Sequence, residues 1–224
     1  MQQLLDLFHR IYDVQGIVRW GGLLALVVII FAETGLLVGF FLPGDSLLVT
    51  AGIFCTSSVD GEAPLLNIVT VNLAVIAAAI VGDTVGYWIG AKSGPRLFTR
   101  EQSLLFSKKH LLRTKEFYER HGGKTIIMAR FMPFLRTFAP VVAGIGQMNY
   151  RRFLSYNVFG AMGWTLSMTL LGFTLGQVYP PITKQIDKLI IVIIAVSLIP
   201  GAISWLSNRN KDKAAKAKEP SVIA

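Results

Sequence analysis

The stretch RFMPFLRTFAP, Arg130 to Pro140, decides how this chain folds. It places Arg130, Pro133, Arg136 and Pro140 inside an apolar segment that runs from Thr125 to Met148. The length suits a membrane span, but the residues do not. Proline removes a backbone donor and clashes with the preceding turn. A charge at mid-bilayer costs roughly 2.5–3.5 kcal/mol on insertion scales. The flanks add a second conflict, because Lys124 precedes the segment and Arg151-Arg152 follow it. Basic flanks stay on the cytoplasmic side, and a full crossing would carry one of them out. A hairpin that enters and leaves by the cytoplasmic face keeps both inside. The expectation is a re-entrant helical hairpin over about 124–148, with Pro133 and Pro140 setting its geometry.

Working outward, the same conflict recurs near the N-terminus. Trp20 to Phe54 is a 35-residue run in which only Glu33 and Asp45 are charged. One span takes ~20 residues, and the run has no polar loop for two full crossings. Gly35, Gly39 and Pro43-Gly44 interrupt it. The expected solution is a first helix to about Thr34, then a hairpin over about 35–55 that dips in from outside. Pro43 and Gly44 supply its bend. Backbone broken at that depth must be buried in protein or line a wet cavity. Leu65–Ala91 carries only Asp83, and Phe153–Tyr179 and Leu189–Leu206 carry no charge. The expected fold is an all-α membrane protein with four transmembrane helices and two opposed re-entrant hairpins, resembling an inverted repeat. The echo between PGDSLLVTAG (43–52) and APVVAGIG (139–146) is too short to establish a repeat alone.

Composition agrees with that class. The chain has 224 residues, 53% hydrophobic and 16% charged, against ~25% charged in soluble domains. Mean hydropathy is +0.55. The net charge of +9 is unevenly placed: residues 92–124 hold nine Lys/Arg against three Glu, and residues 208–224 hold five against two acids. The segment CTSSVDGEAP (55–64) has two acids and no base. This puts 92–124 and the C-terminus in the cytoplasm and 55–64 outside. The positive charge reads as a topology signal, with anionic lipid headgroups as its secondary partner, and no nucleic-acid-binding signature accompanies it. Apolar pairs at 97/98, 104/105, 111/112 and 117/118 predict a cytoplasmic amphipathic helix over about 97–121, with a shorter one in the first 19 residues. One domain is expected over 1–207, followed by a basic tail over 208–224. Asp6, His9, Arg10 and Asp13 argue against a cleaved leader. Cys55 is a single cysteine, and His9, His110 and His121 have no metal-ligand spacing. No metal, cofactor or catalytic constellation is expected.

The candidate site follows from burial cost. Four unpaired charges at mid-bilayer would cost on the order of 10 kcal/mol, comparable with a domain's stability. Glu33 and Asp45 come from the first half and Arg130 and Arg136 from the second. Pairing across the halves is the economical arrangement. Two readings stay open: the pairs lock the hairpins together, or they line a polar cavity for an anionic headgroup or a coupling ion. Arginine suits phosphate because its planar fork donates parallel hydrogen bonds and keeps its proton. Asp83 lies in GDTVGYWIGAKSG, where Gly82, Gly86, Gly90 and Gly94 form one smooth face for close helix packing. It is expected to line the cavity or hold a backbone group.

These elements together resemble the DedA family, the bacterial branch of the SNARE-associated or VTT-domain membrane proteins. The resemblance rests on Glu33 followed by FFLPGDSLLVTAG, then GDTVGYWIGAKSGPRLF, then RFMPFLRTFAPVVAGIGQM, and covers about residues 20–180. It implies opposed re-entrant hairpins, residence in the bacterial cytoplasmic membrane, and roles in recycling the lipid carrier undecaprenyl phosphate and in proton-motive-force-dependent resistance to alkali and cationic peptides. The family's functional acids fall on Glu33 and Asp45, and its functional arginines on Arg130 and Arg136. The implied function is a proton-coupled flippase of undecaprenyl phosphate or a related phosphate-bearing lipid. Arg130 and Arg136 would bind the phosphate, and Glu33 and Asp45 would carry the coupling proton. The alternatives are a proton-coupled exporter of cations and a passive scramblase or scaffold. A second copy of the chain is left open as a further partner.

Overall fold

The computed structural model describes residues 14–36, 44–56, 63–97 and 123–184. All described elements are helical: α1 (Val14–Gly35), α2 (Gly44–Ile53), α3 (Ile68–Leu97), α4 (Lys124–Ala129), α5 (Pro133–Ile145) and α6 (Tyr150–Val178), with a 3-10 turn at Pro180–Lys184. Two helical segments are long and apolar enough to cross a membrane, Ile68–Gly94 and Tyr150–Val178. Pro43, residues 98–121 of the expected amphipathic helix, the span at 188–207 and the tail lie outside the described residues.

The two long helices form the frame. Each starts on an asparagine whose side chain caps the first turn. Asn67 Oδ1 accepts from the Val69 and Thr70 amides at 2.9 and 3.2 Å. Asn149 Oδ1 accepts from the Arg151 and Arg152 amides at 3.0 and 3.4 Å. Such caps satisfy donors that the helix leaves unpaired. α3 and α6 run antiparallel. Thr169 meets Asn72, Asn157 meets Ile80, and Phe153 stacks on Tyr87 at 4.7 Å.

The short helices fill this frame in a repeated manner. α5 runs parallel to α3, with Pro140 and Val141 at Gly86, Val141 again at Gly90 and Ile145 at Gly94. α2 runs parallel to α6, with Asp45 at Trp164, Val49 at Gly172 and Ile53 at Gly176. A side chain on Gly52 would collide with the Thr169 carbonyl and the Phe173 amide of α6. One on Gly144 would collide with the Tyr87 carbonyl and the Ala91 amide of α3. VTAG at 49–52 and VVAG at 141–144 therefore make the same backbone approach to opposite long helices. The short-helix residues correspond 92 positions apart (49 to 141, 52 to 144), and the long-helix residues 82 apart (67 to 149, 90 to 172). The faint sequence echo marks a structural repeat whose halves run in opposite directions.

The first half departs from expectation in one respect. α1 is not a straight crossing, because it kinks at Gly22 (φ 50°, ψ −138°). The apolar part, Gly21–Gly35, is shorter than a span. Its end, Gly35, packs on Gly82 and Gly86 at the middle of α3, while Leu26 and Ile30 join Val71 and Val75 in one core cluster. α1 therefore runs parallel to α3 and antiparallel to α2. It is the first arm of the hairpin, which extends back beyond the expected 35–55. The second pair of short helices, α4 and α5, occupies Lys124–Ala129 and Pro133–Ile145. Pro133 opens α5 at its first turn, a position where the missing donor costs nothing. Pro140, expected to help the chain turn out, lies inside α5 instead, and the helix continues through it to Ile145.

Packing completes the picture. Leu47, Leu48, Ile53, Val75, Ala79 and Trp164 are at most 1% exposed. Val69, Leu73, Trp88, Phe159 and Leu170 instead turn outward, which suits a surface met by lipid tails.

Candidate functional site

Five ionisable side chains converge where the hairpin tips meet the frame. Glu33 ends α1, Asp45 lies in the first turn of α2, Asp83 sits in mid-α3, Arg130 caps α4 and Arg136 lies in the first turn of α5. Glu33, Asp83, Arg130 and Arg136 are all buried, and Asp45 is partly buried.

Arg136 bridges both acids of the first hairpin. Its Nη1 meets Asp45 Oδ1 at 2.6 Å, and its Nη2 meets Glu33 Oε1. The Trp164 indole N–H donates to the same Asp45 oxygen at 2.8 Å. The Arg136 guanidinium lies 4.5 Å from the centre of the Trp164 ring, within cation–π range. Trp164 thus fixes both members of the pair. Gly44 is required next to them for space: a side chain there would overlap the Glu33 carboxylate.

Arg130 does not join those acids, contrary to the expected pairing. It reaches across the frame to Asp83, and the same Nη2 also donates to Asn157 Oδ1. Asn157 is oriented by donating its own Nδ2 to the Ile80 carbonyl at 3.2 Å. Gly160 lets the arginine pass, since a Cβ there would stand 3.0 Å from Arg130 Cδ. Asp83, expected to line the cavity or hold a backbone group, is thus a charge partner of Arg130 within the site. Three acids face two arginines, so the cluster carries a formal −1 with every group ionised.

The site retains unused donors. Arg130 Nε and Nη1, Arg136 Nε and the Thr137 hydroxyl are buried with no hydrogen-bond partner among the described residues. All four belong to the second hairpin. The N-termini of α2 and α5, each the positive end of a helix, open beside the same charges. Sequence reasoning missed Thr137, Asn157 and Trp164, because neutral polar residues raise no charge penalty. The one available signal was Asn157, a strongly polar side chain inside an otherwise uncharged 27-residue run.

A polytopic helical frame holding two inverted hairpins around buried counter-charges defines a class of membrane protein. The chain belongs to the DedA family of VTT-domain proteins, since residues 42–174 match the VTT domain. It is 46% identical to Protein DedA of Escherichia coli over 192 residues, covering 86% of this chain and 84% of that protein. It is 40% identical over 195 residues to an uncharacterised membrane protein of Mycobacterium leprae, covering 87% and 84%. It is 34% identical over 168 residues to the inner membrane protein YqjA of Escherichia coli, covering 73% and 71%. No solved structure matches the chain.

Proposed function

We propose that the protein is a proton-coupled transporter that moves a phosphate-bearing lipid, with undecaprenyl phosphate as substrate, across the bacterial cytoplasmic membrane. The observation that carries this reading is the set of buried N–H groups on both arginines that find no partner among the described residues. A buried donor without a partner is costly. A phosphate oxygen is the acceptor that a guanidinium fork matches best. Helix N-termini add favourable field for the same charge.

In this reading the hairpins are re-entrant, the first entering from outside and the second from the cytoplasm. The opposite directions of their arms and the basic flanks at Lys124 and Arg151-Arg152 support it. Helices broken at mid-depth between inverted repeats are the recurring setting for transport sites. Substrate phosphate competes with Glu33 and Asp45 for Arg136, and protonation of a carboxyl releases the arginine to the phosphate. Arg130 approaches from the opposite side, tethered through Asp83. The role is transport, with no covalent chemistry.

The test is movement of labelled polyprenyl phosphate between leaflets of liposomes holding the purified protein. Transfer accelerated by a pH gradient is expected. Folded protein that moves no lipid with or without the gradient would refute the proposal.

A further inference from the structure

The charge cluster leaves a second set of buried polar groups unexplained. They lie along the seam between α3 and α6. The Thr169 hydroxyl meets Asn72 Oδ1 at 2.7 Å and the Thr165 carbonyl at 2.8 Å. Further along α6, Asn157 meets the Ile80 carbonyl and Arg130, which holds Asp83. Asn157, Ala161, Thr165 and Thr169 recur at every fourth position and so share one helix face. Thr165 therefore faces α3 between two positions that are pinned to it.

Thr165 is fully buried, and its hydroxyl has no hydrogen-bond partner among the described residues. Oδ1 of Asp83 has none either. Such groups in a roomy polar setting are where proteins hold internal water. Ala161, one turn before Thr165 on the same face, and Ala79 on α3 are small and fully buried, so neither adds bulk to the seam. Thr169 and Asn157 stand ~18 Å apart along the helix, at 1.5 Å per residue.

The two ends of the seam differ. Asn72 lies near the start of α3 and is buried, so the line of polar groups runs toward the end of the frame that carries residues 63–68. Beyond Asp83 the seam turns aromatic. Tyr87 stacks on Phe153, and Tyr150 lies 5.5 Å from Tyr87. The polar lining thus extends toward one end of the frame and gives way to rings toward the other.

We infer that the α3–α6 seam is a hydrated path by which protons reach Asp83 from the membrane face bearing residues 63–68, with Thr165 as its central station. The inference rests on the proton-coupled reading above and names its entry route. Each station accepts a proton from water on one side and releases one on the other. The Asp83 carboxylate gains the arriving proton and becomes neutral, and the same O–H bond breaks when it leaves. The groups facing Asp83 are Arg130 at the end of α4, Arg136 on α5 and Asn157 on α6. Glu33 and Asp45 stand behind Arg136. From α1, Thr34 packs at the adjacent Gly82. Neutralising Asp83 removes the charge partner of Arg130 and so frees that arginine for phosphate.

The test uses full-length protein in liposomes, in a Cys55→Ala background. Thr165→Cys should react with a small water-soluble thiol reagent about tenfold faster from the face bearing residues 63–68 than from the other. Thr165→Val should slow proton uptake, read by a lumenal pH dye in the presence of polyprenyl phosphate, about ten- to a hundredfold. Binding of polyprenyl phosphate should stay unchanged, and Thr165→Ser should recover the rate. Labelling from neither face or only from the other face overturns the path. So does wild-type proton uptake in Thr165→Val, or no uptake in the unsubstituted protein. Sided labelling in a protein that moves no phosphate lipid would retain the path and remove the flippase reading.

Discussion

The two hairpins share a backbone plan and carry opposite charge. Each sends one arm along its own long helix and the other along its partner's. Each uses a Val-x-Ala-Gly segment to bring its second arm against that helix's backbone. At the tips the likeness stops. The first hairpin presents Glu33 and Asp45, and the second presents Arg130, Arg136 and Thr137. Backbone contact sets the architecture in both halves alike. The site arises from the difference between them, because only complementary tips can meet at low dielectric without excess charge.

The sharpest way to break this comparison is Arg136→Ala. It leaves Glu33 and Asp45 buried together, and we expect a loss of about 3–5 kcal/mol in thermal unfolding in detergent, with transport abolished. Exchanging the charges, Glu33→Arg with Arg136→Glu, should recover part of that stability and none of the phosphate binding. Recovered binding would mean that it does not matter which hairpin carries the arginine. Next in size are Gly52→Val and Gly144→Val. Both force a side chain into a facing helix backbone, and each should cost about 1–3 kcal/mol, equal within experimental error. Damage from only one of them would break the equivalence of the halves. Arg136→Lys keeps the charge and loses the fork and the stacking on Trp164. Affinity for polyprenyl phosphate, measured by titration, should fall about tenfold while the fold is kept. The smallest effect is expected for Trp164→Phe, which keeps the ring under Arg136 but removes the donor to Asp45. It should cost about 1 kcal/mol and leave transport measurable.

Burial cost made the charged residues legible in sequence, since an ionised group in an apolar run must be accounted for. Who pairs with whom was less legible. Asp83 was expected to line the cavity or hold a backbone group, and it holds Arg130, while the glycines around it pack on α1 and α5. Asp83 adjoins that glycine face, between Gly82 and Gly86, and from there supplies the partner of Arg130. Pro133 was readable as a break because a helix start tolerates proline. Pro140 was not, because a helix can keep its course past a proline when its neighbours hold it in place. The first crossing was misjudged for a related reason. The first helix was expected to end a span at about Thr34, and neither length nor hydropathy registers a single backbone angle at Gly22.

That angle has a consequence for the reach of the first arm. Gly22 has nothing near its missing side chain, so neighbours do not require the glycine; its backbone conformation does. An L-residue with a side chain rarely adopts φ near +50° with ψ near −138°. Without the kink, Val14–Gly35 would be one 22-residue helix, ~33 Å long and sufficient to cross the ~30 Å hydrocarbon core. Gly22→Ala should therefore favour one straight helix over Val14–Gly35 in place of the kinked arm, read as a gain in helical content.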